Sequence, residues 1–535
     1  MKPIFTIFSF FLCVSFLSAQ NTIKLHIFYT NDLRGGIGWQ KATFMNPDFP
    51  PELGGGASTA AIINKIRRQA RLNGEEVLLL DGGDFIFGPT PLGEDSKGRA
   101  IVEYMNHVGY DAAVPGINDF NLGREDLTAL GRQAHFPLLA ANVIDSASLK
   151  TAEPFTPYTI IEKNGLRIGL FGIVSKAAEQ NEDPQRIRGL RFLSEVQAAQ
   201  KTVEQLKEQN ADIIIALAHL GLPYDSEEGY DVLREQEAQN IFKDSYVNTM
   251  ELARSVAGID LIVSGHIPRG YQEPWEDPVN HTICVQNYAG GGNLGLITLN
   301  IDKSTKTVTG YDLPSVDGSL LLLSLDEFWP EESTANLIRS LEEQYEPGFD
   351  EMIGETVQSL NRNLQGESRL SNLMCDAMLE STGADFAFNN YVSMRADIPI
   401  GPITPRDLSS VFPFGNEIVV IKMEGKLLYD LMEGSIAGYN NGFAIGGGRI
   451  ISNKGLPDGK RILSFKIGGK PLDPHQTYRV ATSAYLAKGN YGLTKLAFLP
   501  DDVFEYTGIK VRKAVEEFVR KHSPLNIAVE GRWPK

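Results

Sequence analysis

Cysteine is almost absent from this chain: three in 535 residues, at positions 13, 284 and 375. Cys13 lies in an N-terminal stretch with the layout of a removable signal, so Cys284 and Cys375 remain, too few for a disulfide framework. Basic residues are outnumbered, 50 Lys and Arg against 67 Asp and Glu, a formal charge of −17 that becomes −17 − 1 = −18 without Lys2. That balance argues against binding a phosphate backbone, and nucleic acid is not an expected partner. An acidic chain can still hold a phosphorylated small molecule if cations or a metal neutralise the site locally. Long hydrophobic runs are confined to positions 4–14, and no other stretch is apolar enough to span a bilayer.

That first run follows Lys2 and precedes Ser18 and Ala19, the pattern of a cleaved secretory signal over residues 1–19. No small residue directly precedes Cys13, so neither a lipoprotein nor a transmembrane anchor is expected, and the mature protein is read as exported, periplasmic or secreted. Apolar residues make up 42% and charged residues 22%, an ordinary globular composition in a chain too long for one core.

The stretch 76–123 organises the reading. VLLLDGGDF is an apolar strand running into Asp81, Gly82, Gly83 and Asp84, and paired glycines let backbone and ligand approach closely there. A second strand-to-loop junction carries Asp111, Asn118, Asp119 and Asn121. In open α/β sheets, sites form beyond the carboxyl ends of strands, so the two junctions can share a crevice. Read alone, Asp81 and Asp84 serve equally well as turn residues.

The rest of the first half alternates strand and helix. KLHIFYTND ends at Asp32, DIIIALAHL contains His219, and DLIVSGH ends at His266, with amphipathic helices between the strands. The result is a layered α/β domain over 20–325. A Glu-rich segment, 326–350, reads as a solvated linker helix, and 351–535 as a smaller α+β unit with a Gly-rich stretch at YNNGFAIGGGRI. Four strand ends thus carry Asp32, Asp84, His219 and His266, a ligand set for zinc, manganese or iron. A lone histidine in an apolar run is usually structural, but two that close strands alongside aspartates point to metal. The other six histidines show no such placement.

These motifs resemble the exported 5′-nucleotidase and UDP-sugar hydrolase family. The resemblance rests on YTND (29–32), GGD (82–84), MNHVGYDA (105–112), ALAHLG (216–221) and SGH (264–266). In the second half it rests on SNLMCDAMLESTGAD (371–385), GPITPRDL (401–408), FPFGN (412–416) and GKPLDPHQTYRVAT (469–482). It implies an N-terminal α/β/β/α metallophosphoesterase domain and a C-terminal 5′-nucleotidase domain, acting on nucleotides or related phosphorylated small molecules. In that family two metal ions share an aspartate and activate water for attack on phosphorus. Carried over, Asp32 binds metal one, Asp84 bridges, and His219 and His266 bind metal two.

This chain departs from the family pattern at several positions. The aspartate-any-histidine signature is here Asp32, Leu33, Arg34, and a guanidinium cannot coordinate a cation. The glycine-histidine-any-histidine signature is Gly265, His266, Ile267, Pro268. The catalytic loop reads Gly116, Ile117, Asn118, Asp119, Phe120, Asn121, so the family's histidine is missing, and a one-residue shift would bring Asn118 to the metal. Candidate catalytic residues are therefore Asn118, Asp119 and Arg34, with one metal expected rather than two. For substrate, Asn390 and Arg395 match the ends of a binding loop and Phe414 one ring of a base sandwich whose second ring is missing near Tyr491. Two readings follow: a metal-dependent hydrolase in which Arg34 replaces the charge of the lost ion, or a catalytically silent binding or scaffold relative.

Overall fold

The computed structural model describes residues 21–534 apart from 43, 47–48, 89–90, 183, 414 and 437–441. The expected signal (1–19) and Phe414 therefore lie outside the described residues, as does part of the Gly-rich stretch.

The first half supplies, in order, β1 (Thr22–Thr30), α1 (Gly55–Asn73), β2 (Glu76–Asp81), α2 (Arg99–Val108), β3 (Ala112–Ala113), β4 (Tyr158–Lys163) and β5 (Leu166–Val174). It continues with α3 (Glu195–Glu208), β6 (Ile213–His219), β7 (Leu261–Ser264), β8 (Trp275–Glu276), β9 (Ile283–Gln286), β10 (Asn293–Asp302), β11 (Val308–Asp312) and β12 (Leu320–Leu322). One sheet runs β11-β10-β1-β2-β3 with β12 beside β10; the other runs β8-β9-β7-β6-β5-β4.

Side-chain alternation stacks the two sheets. Along β6, Ile213, Ile215 and Leu217 join the core shared with Leu25, Ile27 and Leu78 of the first sheet. Ile214, Ala216 and Ala218 face the other way, onto Val196, Ala199 and Val203 of α3. Burial on both faces explains why these strands read as unbroken apolar runs. The layering is α/β/β/α, as the sequence implied.

Parallel pairing sets the functional edge. β1 and β2 run in register, with Tyr29 opposite Leu80 and Thr30 opposite Asp81, so the Asp32 and Asp84 loops leave the sheet together. β6 and β7 are likewise parallel, Ala218 opposite Ser264, bringing out His219 and His266 side by side.

The remaining elements used below are α4 (Glu332–Tyr345), α5 (Arg369–Thr382), β13 (Phe386–Asn389), α6 (Pro405–Val411), β14 (Glu417–Glu424), β15 (Ala444–Gly446), β16 (Thr477–Ser483), β17 (Phe504–Lys510) and α7 (Val511–His522). Their sheet, β15-β13-β16-β14-β17, separates two apolar clusters. Ile418 and Val420 pack with α5 and α7 on one side; Val419 and Ile421 pack with Phe386 and Phe388 on the other.

α4 differs from the solvated helix expected between the halves. Its Ile338 and Leu341 are buried in the first core, against α1 and α2. The Glu-rich composition conceals an apolar stripe at helical spacing, and a count of charges misses the stripe.

Just beyond α4, Glu346 is buried between the halves: its Oε1 accepts the Leu92 N–H at 2.6 Å. Burial, reinforced by Glu342 and opposed by Arg406, the Leu92 amide and Arg512, lifts this carboxyl to about 7 from an ordinary 4.5. A carboxyl whose pKa is raised by folding gives stability that is intact below the unfolded value and declines as pH rises to the folded one. Glu346→Gln is expected to remove a decline on the order of 3 kcal/mol between pH 4.5 and 7. Melting curves of both proteins across that range check it; parallel pH profiles would contradict it.

Candidate metal and phosphoester crevice

At the shared edge the backbone is under strain. Asp32, Arg34, Asp84 and His266 have φ values of 50°, 52°, 57° and 85°, a left-handed region that non-glycine residues rarely occupy. Close approach enforces it: the Asp32 N–H donates to the Gly83 carbonyl at 2.7 Å and the Arg34 N–H to the Asp84 carbonyl at 3.0 Å. Gly116 is obligatory, because a Cβ there would lie 2.0 Å from Asp84 Oδ1.

Asp32, Asp84 and His219 converge. All three are fully buried, and one ligand atom from each lies within 4.8 Å of the others, the one such group among the described residues. His219 Nδ1 lies 2.7 Å from the Gly82 carbonyl, a contact that assigns the proton to Nδ1 and leaves Nε2 turned inward. Nε2 is 3.4 Å from Asp84 Oδ2 and has no hydrogen-bond partner among the described residues. An orphaned buried nitrogen facing two carboxylates fits the donor set of one borderline divalent ion.

The charges are strongly coupled. Burial disfavours the His219 cation, but Asp84 and Asp32 outweigh it and lift the imidazole to about 9. Burial likewise opposes ionisation of Asp84, yet His219, Arg34 and Asn118 together hold it well below the usual carboxylate range. Arg34 turns inward: Nη2 sits 2.6 Å from Asp32 Oδ1 and 3.7 Å from Asp84 Oδ2. Its side chain keeps 20% exposure while both carboxylates have none.

Asn118 reaches the same carboxylate, its N–H on Asp84 Oδ1 at 2.8 Å and its amide on Oδ2 at 2.5 Å. Asp119 does not face the crevice. Its carboxylate accepts the N–H groups of Asp84, Gly116 and Ile86 at 3.0, 2.8 and 3.1 Å, so it shapes the Asp84 loop instead of meeting a ligand. Expected as a catalytic candidate, Asp119 is held by three backbone amides and braces the Asp84 loop.

His266, expected with His219 at the metal, stands outside that triad. Its ring packs edge-on against His219 with centroids 5.3 Å apart, and it is its backbone N–H that meets Asp32 Oδ2, at 2.9 Å. Burial and the neighbouring His219 push its imidazole down to about 4. β7 ends at Ser264, and His266, at positive φ just beyond it, aims its N–H at that carboxylate.

Of the second-half residues, Asn390 is buried just before a short 3₁₀ turn. Arg395 keeps an exposed face, while partial burial of its guanidinium depresses its pKa, opposed by Tyr224 and reinforced by Arg34. Sequence reasoning missed Asn31, whose amide holds Asp32 Oδ2 at 2.9 Å and the Asn287 carbonyl at 3.1 Å. Asp81, which the sequence also offered as a turn residue, is buried beneath the loop, where Thr30 Oγ1 donates to it at 2.7 Å and the Gly83 N–H at 2.8 Å. The signal for Asn31 was its place within YTND, beside the residue chosen.

Fold and crevice define a layered α/β/β/α half joined to a second half with its own sheet, with two carboxylates from one sheet meeting the His219 imidazole from the other. Residues 350–497 match the family described as 5′-nucleotidase, C-terminal domain. Protein UshA of Yersinia enterocolitica is 28% identical over 95% of this chain and 92% of its own length. The 5′-nucleotidase of Vibrio vulnificus is 26% identical over 95% of this chain and 92% of its own. Among solved structures, the 5′-nucleotidase precursor from Thermus thermophilus has a TM-score of 0.72 at 25% identity, covering 95% of this chain and 99% of that one. Part of the second half thus matches the 5′-nucleotidase C-terminal domain family, and nearly the whole chain is similar to 5′-nucleotidases.

Proposed function

We propose that this chain is an exported, metal-dependent phosphoester hydrolase acting on nucleotides or related phosphorylated small molecules. The observation that carries the reading is the unpartnered Nε2 of His219 facing Asp32 and Asp84 in a fully buried group. Zinc, manganese or iron held by these three residues, one ion rather than two, would supply Lewis-acid charge to a phosphoryl oxygen.

The chain's own residues supply the rest. Arg34, anchored by Asp32 yet partly exposed, offers its remaining N–H donors and fixed charge to a phosphoryl group. Asn118 holds Asp84 in one orientation, and Asp119 holds the loop that carries it. Asn390 and Arg395 of the second domain, with Phe414, would grip the remainder of the substrate. Domain limits at 20–325 and 351–535, and export directed by residues 1–19, belong to the same reading. No helix among the described residues is long and apolar enough to cross a membrane.

A second reading, a silent binding protein, is favoured by one contact: Arg34 Nη2 on Asp32 Oδ1 at 2.6 Å occupies an oxygen of the triad. Phosphate release from AMP with added manganese, alongside AMP binding, separates the two. Turnover that disappears in Asp84→Ala is the expected result. Binding without turnover moves the protein to the second reading, and absence of both overturns the pair.

A further inference from the structure

Away from the crevice, the domains meet at a second charged cluster, around Arg406 at the start of α6. Arg406 is 8% exposed. Its Nε donates to Asp350 Oδ1 at 2.6 Å, and its Nη2 donates to Asp350 Oδ2 at 3.0 Å and Glu342 Oε1 at 3.1 Å. The guanidinium lies over the Phe349 ring at 4.8 Å, and the Arg406 N–H donates to the Phe349 carbonyl at 3.1 Å. The acidic partners follow or end α4, which is packed in the first core, whereas Arg406 belongs to the second domain. First-domain backbone closes over the same cluster: Leu92 donates to Glu346, and a Cβ at Gly38 would lie 2.3 Å from Glu342 Oε1. A fork-shaped guanidinium bound to carboxylates at both nitrogen positions fixes orientation as well as distance.

From Arg406 a short rigid path leads to the crevice. α6 begins with Pro405 and a reciprocal capping box between Thr404 and Asp407, so it starts in a defined direction. At its far end the Val411 carbonyl accepts the Arg395 N–H at 2.9 Å, and the Arg395 carbonyl accepts from the Arg362 guanidinium. A single helix thus connects the interdomain cluster to the backbone of Arg395, the second-half arginine assigned above to the substrate.

We propose that Arg406 is a positioning residue for ligand binding: by locking α6 onto the end of α4, it fixes where Arg395, assigned above to the substrate, stands. This inference rests on the phosphoester reading above. Its consequence is that removing Arg406 and removing Arg395 damage the same interaction. Groups acting through one path give non-additive effects, while independent groups more than 7–10 Å apart add.

The test is a double-mutant cycle on the full chain, with Arg406→Met, Arg395→Ala and their combination, read as Kd for AMP and for inorganic phosphate. Arg406→Met is expected to weaken AMP about 10-fold, the loss that misplacement of one charged contact produces, with inorganic phosphate, which the crevice alone can hold, unchanged. The double variant should bind AMP no worse than the weaker single variant. Additive losses, or unchanged AMP affinity in Arg406→Met, would overturn the proposal. If Arg406→Met does not fold, Arg406→Lys, which keeps charge without the fork, should give a smaller loss with the same non-additivity. Wild-type protein that binds neither AMP nor phosphate would refute the phosphoester reading itself, an outcome distinct from an additive cycle.

Discussion

Replacing Arg34 with Met is expected to destabilise chelator-treated protein by about 3–5 kcal/mol, the range for removing one partner of a buried ion pair. Asp32 and Asp84 are fully buried, and Arg34 lies 2.6 Å from one and 3.7 Å from the other. Burial opposes the guanidinium's charge, but Asp32, Asp84 and Asp119 outweigh it and hold its pKa above the ordinary value. Without that cation, two carboxylates keep only His219 as a counter-charge. Met preserves length and apolar stem, so the change isolates charge. Added manganese or zinc should restore much of the loss, because an ion in the triad provides the missing charge. The check is the urea midpoint of both proteins with chelator and with metal. An unchanged midpoint in chelator would mean that Arg34 is no counter-ion.

His219→Ala should abolish tight metal binding. Loss of an outer-shell partner already lowers metal affinity 10–100-fold, and His219 supplies the triad's one nitrogen, so its removal should exceed that range. His266→Ala should alter stoichiometry little, because its ring stands beside the triad. Elemental analysis of the purified variants distinguishes the residues. A His219→Ala protein that retains its metal, or a His266→Ala protein that loses it, would reverse the assignment. His219→Gln, which fills the buried space, guards against simple misfolding.

Much of the fold was legible because burial on both faces writes itself into composition. Strands such as 166–174 and 213–219 are continuous apolar runs, α1 ends at Gly74 with φ 71°, and each metal candidate follows such a run. α4 was misread, because three buried positions were outvoted by exposed glutamates.

The candidate site was legible as a set of residues but not as an arrangement. Sequence by itself determined that Asp32, Asp84, His219 and His266 come at or just past the ends of apolar strands. That placement follows from continuous apolar runs, a local signal. Only tertiary structure decided which side chains converge. Asp119 accepts three backbone amides, the His266 N–H meets Asp32, and Arg34 folds back on Asp32, in loops where Asp32, Arg34, Asp84 and His266 hold positive φ. The Arg406 cluster is likewise tertiary: its partners are 56 to 64 positions away in the chain, and no spacing rule reaches across a domain boundary.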